Sequence, residues 1–231
     1  MLFSAVSFLP PAGPRSLTGE QFMRILDLGC GAGQDLAVWG VTDSDEVAGV
    51  DINEERLVIA RGRFPRRIYK RGAGECLPFG DESFDRVISN VALPYMNIPR
   101  ALAEIHRVLV PGGTCILSVH PVSLTIRELR DAFPKPIPTL FRIYIVANGM
   151  FFYCTGRTVG FLKGRTESFQ TERGMRMALK RAGFGNLSFT RPIGPAGERL
   201  IVEAEKIPVG HPSARGDSGS PTRPEAAQDD A

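Results

Sequence analysis

Cysteine is scarce in this chain and has no ligand spacing. The 231 residues include four, Cys30, Cys76, Cys115 and Cys154, none in a C-x-x-C pair. That argues against a metal site or a disulfide scaffold and points to reduced thiols in a cytoplasmic protein. Charge imbalance is slight: a formal charge of +3 neither demands nor excludes a nucleic-acid partner. No stretch reads as long and apolar enough to span a membrane. The first nine residues are apolar but lack the basic leading region of a signal peptide, and Pro10-Pro11 follows, so residues 1–20 read as a loosely attached arm. Internal repeats are absent. With 43% apolar and 23% charged residues, the chain has the composition of an ordinary globule, long enough for one domain with a large core.

The informative stretch runs from Ile25 to Leu36. Residues 25–28 form a short apolar run, suited to a buried parallel strand. Gly29, Gly31 and Gly33 alternate after it, and 34–40 reads as a helix. Strand, glycine loop and helix in that order aim free N–H groups at whatever lies above the loop. A second strand pattern, 46–50, ends on Asp51, beside the loop and about where a ribose diol is held in nucleotide folds. A dinucleotide site would read G-x-G-x-x-G, but its third glycine position holds Gln34. Asp27 adds negative charge at the loop entrance, which suits a cationic ligand better than a pyrophosphate.

Further along, Asn53 reads as the N-cap of a helix with Glu54 and Glu55 in its first turn. Six of the eleven residues in 61–71 are basic. Interleaved aromatics there fit a nucleic-acid patch, but a charged, solvated turn before an edge strand explains them as well. A strand follows at 84–89, with Asn90 just past its carboxyl end. Residues 99–109 form an amphipathic helix, with His106 on its surface. Pro111-Gly112-Gly113 reads as a turn, and a strand at 114–119 leads to His120. Thr171 caps a last helix that stops at Gly183, and two strands, 187–191 and 199–204, complete a domain spanning 21–206. Residues 207–231 are poor in apolar side chains and read as a disordered tail.

The run Asp27-Leu28-Gly29-Cys30-Gly31-Ala32-Gly33 resembles the first motif of class I S-adenosylmethionine (SAM) methyltransferases. Two later segments resemble the same family, in particular its type 11, UbiE-like small-molecule branch. They are Gly72 to Phe79 followed by Phe84 to Val87, and Leu102 to Gly113. The resemblance implies an α/β, Rossmann-like fold: a seven-stranded, mostly parallel sheet, order 3-2-1-4-5-7-6, with strand 7 antiparallel and helices on both faces. It implies SAM as cofactor. Asp27, Gly29, Cys30, Gly31 and Gly33 would border its methionine part, Asp51 and Ile52 its ribose, and Gly74, Glu75 and Cys76 its adenine. Asn90 would line the floor near the sulfonium. One departure is Ala73, where the family usually has an aspartate for the adenine amino group. Glu75 or the backbone at Gly74 and Cys76 would have to substitute.

Methyl transfer from a sulfonium needs alignment and water exclusion, and a base only if the acceptor must lose a proton. His120, on the rim past strand 5, is the first candidate base and Tyr95 the second. Residues 122–170 exceed a simple crossover and carry a crowd of apolar side chains from Phe141 to Tyr153. They suggest a cover inserted over a small, largely apolar acceptor methylated at O, N or C. Methylation of RNA or protein, and SAM binding without catalysis, are the alternatives. The oligomeric state is left open by the sequence.

Overall fold

The computed structural model describes residues 22–33, 36–160, 166–194 and 197–208. The arm at 1–20 and, beyond residue 208, the tail expected at 207–231 therefore lie outside the described residues. Seven strands form one sheet: β1 (Arg24–Leu28), β2 (Glu46–Asp51), β3 (Ile68–Arg71), β4 (Phe84–Asn90), β5 (Leu109–Val119), β6 (Phe184–Thr190) and β7 (Leu200–Lys206). Their order is 3-2-1-4-5-7-6. β1 to β5 pair in parallel, and β7 runs antiparallel to both of its neighbours. Five helices accompany the sheet: α1 (Glu54–Arg63), α2 (Ile98–Val108), α3 (Val122–Ala132), α4 (Pro136–Thr155) and α5 (Glu172–Arg181).

The two faces of the sheet follow from the two-residue period of its strands. In β1, Leu26 and Leu28 enter a core with Leu102 and Ile105 of α2 and Leu179 of α5. Ile25 points the other way, to Trp39, Ile88 and Ile116. On that second face Leu57 and Ala60 of α1 pack against Tyr69 and Cys30. The caps read from the sequence are present. The Asn53 side chain accepts the Arg56 amide, Thr171 accepts the Gly174 amide, and Gly183 adopts a φ of +91° beyond α5.

Three expectations need correction. The helix expected at 34–40 is, among the described residues, a single 3-10 turn, Ala37–Trp39. Gly40 takes a left-handed conformation and closes it before a full α-turn can form. The Pro111-Gly112-Gly113 turn is instead a bulge inside a longer β5. Gly112 has a φ of +78°, and the register with β4 slips between Phe84 and Arg86. Finally, the expectation that no stretch is long and apolar enough to span a membrane fails at α4. Its 20 residues cover about 30 Å, and it meets the length and composition test for a span.

α4 is nevertheless tied to the domain by its inner face. Ile145, Asn148, Gly149 and Phe152 are buried there. The Asn148 amide donates to the carbonyls of Thr166 (3.1 Å) and Glu167 (3.0 Å), and its oxygen accepts the Val159 amide (2.8 Å). Phe152 fits against Gly174 of α5, where a Cβ would sit 2.5 Å from the ring. Asn148→Ala would orphan three backbone groups at once. It should cost on the order of 3 kcal/mol and lower the thermal midpoint by about 6–12 °C in a calorimetric scan.

Candidate active site

The glycine loop is closed by hydrogen bonds to the end of β2. The Gly29 and Cys30 amides donate to the Val50 carbonyl (2.8 and 3.1 Å), and the Gly31 amide donates to Asp51 Oδ2 (2.9 Å). Gly33 donates back to the Cys30 carbonyl (3.1 Å). The expectation of free N–H groups aimed at a ligand is therefore corrected: these four amides are already taken, so none remains for a phosphate. The other Asp51 oxygen accepts the Asn53 amide (2.9 Å).

Above this loop lies a cavity of about 790 Å³ at the carboxyl ends of β1, β2 and β4, the edge where open parallel sheets bind ligands. Gly29, Cys30, Gly31, Asp51, Ile52, Gly74, Glu75 and Asn90 of the expected cofactor residues line it, and so does Tyr95. Asp27, Gly33, Cys76 and His120 do not. The Cys76 amide donates to the Ala73 carbonyl within a tight turn (3.1 Å). Glu75 reaches across to accept the Asn97 amide at the start of α2 (2.6 Å).

Two glycines allow this close assembly. Gly29 has a φ of +74°, and a Cβ there would lie 2.2 Å from the Ala92 side chain. A Cβ on Gly74 would lie 2.4 Å from the Met96 sulfur. Ala92, Met96 and Arg56 line the cavity without having been picked out from the sequence. For Arg56 a signal existed: it sits three residues after the Asn53 cap, on the turn facing the loop. Val91, next to Asn90, holds a φ of +63°, a left-handed conformation that is strained for a β-branched residue.

The charges suit a cation. Asp51 and Glu75 line the cavity with Arg56 as the basic side chain. Behind the loop Asp27 is 2% exposed, with one oxygen buried and unpartnered. Burial pushes its carboxyl up to about 7, opposed by Arg67 and reinforced by Asp51. Burial, together with Asp27 and Asp51, pushes the Cys30 thiol up to about 12, which makes it inert at neutral pH. A carboxylate-lined cavity whose loop has no spare amides among these four fits a sulfonium and ammonium ligand.

A second, smaller cleft of about 120 Å³ adjoins it, lined by Pro94, Tyr95, His120, Thr125, Glu128, Arg142, Ile145, Glu167 and Ser168. Tyr95 lines both spaces and meets His120 edge to face, ring centroids 5.6 Å apart. His120 is fixed by its backbone: its amide donates to Gln170 Oε1 (3.2 Å), and its carbonyl accepts the Gln170 amide (3.0 Å). Its Nε2 is buried without a partner. Burial lowers its pKa below the usual range; Glu128 opposes this, while Arg199 and Arg142 add to it. Of the apolar residues from Phe141 to Tyr153, Ile145 alone lines this cleft.

A larger cavity, about 950 Å³, lies away from these strand ends and takes in Arg63, Arg66, Arg67 and Lys70 of the basic run. Asp43, Asp45 and Glu46 share its lining, so it presents no uniformly basic face. Arg61 pairs with Glu54, and Arg67 stacks over Phe64 at 4.0 Å.

Sheet order, loop and cavity define a Rossmann-like fold with a cavity over the carboxyl ends of β1, β2 and β4. A methyltransferase-domain family model matches residues 26–117. A demethylmenaquinone methyltransferase of Chlorobaculum tepidum is 30% identical over 173 residues, 74% of this chain and 69% of the relative. A malonyl-[acyl-carrier protein] O-methyltransferase of Erwinia billingiae is 34% identical over 146 residues, 58% of this chain and 57% of the relative. In fold, the chain superposes on the 1,6-didemethyltoxoflavin-N1-methyltransferase of Burkholderia thailandensis, solved with S-adenosylhomocysteine and its substrate. The TM-score is 0.57 and the identity 21%, covering 81% of this chain and 72% of that one. The chain belongs to the class I SAM-dependent methyltransferase family, and it is a methyltransferase that uses SAM.

Two measurements test the site. Asp51→Asn keeps an oxygen for one of the two amides, turns an NH2 on the other and loses the charge, and should weaken SAM binding about tenfold or more in calorimetry. Asp27 tests the buried charge through stability. Its carboxyl is raised from 3.8 to about 7 on folding, so the folded state favours the protonated form. The contribution of Asp27 to stability is then fully present below about pH 4 and is lost as pH rises through about 7. Asp27→Asn should raise the thermal midpoint at pH 8, with the gain vanishing toward pH 4.

Proposed function

We propose that the enzyme methylates a small-molecule acceptor whose reacting end sits in the cleft between Tyr95 and His120. The observation that carries this reading is the shared wall: Tyr95 lines both the cavity over the glycine loop and the cleft holding His120. Bound SAM supplies an electrophilic methyl on its sulfonium. Asp51 would hold its ribose hydroxyls, Gly74 and Glu75 would border its adenine, and Asn90 would form the floor. Asp27 stays behind the loop and outside the cavity lining, so Asp51 and Glu75 carry the negative charge that faces the ligand.

On the acceptor side, His120 is neutral at pH 7, because burial opposes its charging. Its unpartnered Nε2 accepts a proton from a hydroxyl or an acidic C–H as the methyl arrives. Tyr95 orients the acceptor against the donor. Glu128, Arg142 and Glu167 make the cleft polar, so they take a polar head, and the apolar body of the acceptor extends past Pro94 and Ile145. Relatives named for demethylmenaquinone and for a malonyl carrier-protein group support an organic acceptor. The mixed charges around the basic run offer little to RNA.

His120→Ala should lower turnover by about 10²–10⁴-fold on an acceptor that must lose a proton, with SAM affinity unchanged. In the wild type the acid limb of kcat/KM should fall below pH 6.5, because neutral His120 is the active form. An unaltered rate and pH profile in the variant would remove His120 and leave alignment as the whole of catalysis.

A further inference from the structure

The outer face of α4 is apolar along its whole length. Leu140, Ile143, Ala147, Met150, Phe151 and Cys154 recur at helical spacing and are all exposed, Leu140 by 68% and Met150 by 52%. Together they fall within an arc of about 120°, at 100° per residue. Ile137, at the start of the helix, is 82% exposed, and Phe133 in the preceding turn is exposed as well. Arg142 is the one charged residue of α4. It turns inward to pair with Glu128 at 2.7 Å.

Charge gathers instead at the ends of the stripe. Arg130 and Lys135 are exposed before it, with Asp131 between them. Arg157 is exposed after it, and exposed Arg173 lies over Tyr153 at 5.2 Å. Across residues 122–160 there are five basic side chains against two acidic.

We infer that α4 docks this protein on an anionic phospholipid surface, lying in the interface with its outer stripe among the acyl chains. An uncharged apolar stripe flanked by cations matches the two attractions that hold an interfacial helix. A second copy of the chain fits less well. A two-fold contact through this face would bring predominantly basic ends together, with Asp131 as the one exposed acidic side chain across residues 122–160 to offset them. Spanning the bilayer is also disfavoured, because it would strip Asn148 and Phe152 from the partners that hold the helix to the domain. Docking sideways leaves those contacts intact.

The test needs neither SAM nor acceptor, so its outcome is separate from that of the methyl-transfer reading. The full chain is floated with vesicles of phosphatidylcholine, alone or with a minority of phosphatidylglycerol. Binding to the anionic vesicles, weakened by high salt, is expected. The exposed pair Leu140→Glu with Met150→Glu should cut the partition coefficient by about tenfold or more, and Lys135→Glu with Arg157→Glu should abolish the preference for anionic lipid. Unchanged circular dichroism and thermal midpoint would establish that the variants remain folded. Failure of the wild type to float overturns the inference, as does flotation indifferent to Leu140 and Met150. A vesicle-indifferent dimer dispersed by the Leu140 and Met150 variant would assign the stripe to a second copy. A vesicle-indifferent monomer whose residues 1–20 cross-link to α4 would assign it to the chain itself.

Discussion

Three consecutive backbone amides decide what the glycine loop can do. Those of Gly29, Cys30 and Gly31 are all held by the end of β2, through the Val50 carbonyl and the Asp51 carboxylate. In a phosphate-binding loop such amides converge on the ligand and supply its counter-charge. Here they are satisfied within the protein, and the acidic side chains set the field. The loop thus keeps the close backbone approach that glycine allows, without the positive potential that usually comes with it. That combination discriminates against pyrophosphate and favours a ligand bearing a sulfonium and an ammonium.

The same closure shapes the acceptor side. With the loop pulled to β2, Ala92 comes against Gly29, and a side chain at Gly29 would exclude it. Val91 accommodates this approach in a left-handed conformation, a strain worth about 1–3 kcal/mol. Its amide is held by the Ser118 carbonyl at 3.0 Å, and Leu93 and Pro94 are buried beyond it. The chain after β4 therefore crosses the loop and sets Tyr95 between the two spaces. One wall, Tyr95, is shared by the two spaces, and its position follows from hydrogen bonds on β1 and β2.

Much of this was legible in the residues, and the misses have physical causes. Asn53 and Thr171 announced their helices because a cap needs only a local side-chain oxygen. The sheet order came from resemblance, since strand pairing is set by contacts far apart in sequence. The missing helix after the loop turned on Gly40, whose left-handed conformation ends the turn after three residues. Glu128 and Arg142 were passed over because they reach the cleft only through the packing of α3 on α4, and Glu167 because its segment is held to α4 by Asn148. Of the apolar crowd from Phe141 to Tyr153, Ile145 alone lines that cleft, for a related reason. Composition announces that a helix is apolar, but not which face the domain covers, and Asn148 reverses the usual choice.

That reversal is the last constraint. An apolar helix placed by hydrophobic contact alone can rotate or slide at modest cost, because such contacts are non-directional. A buried amide bound to three backbone groups cannot, since any shift leaves polar groups unpaired. Asn148 thus fixes the rotation of α4, and it does so three residues from Ile145 and six from Arg142, the two α4 side chains that line the cleft. Rotation by one position would withdraw both from His120 and turn the outer stripe inward. The geometry of the cleft and the exposure of Leu140 and Met150 are therefore two consequences of a single polar anchor. The outer face is therefore a surface already formed, and contact made there leaves the residues that line the cleft undisturbed.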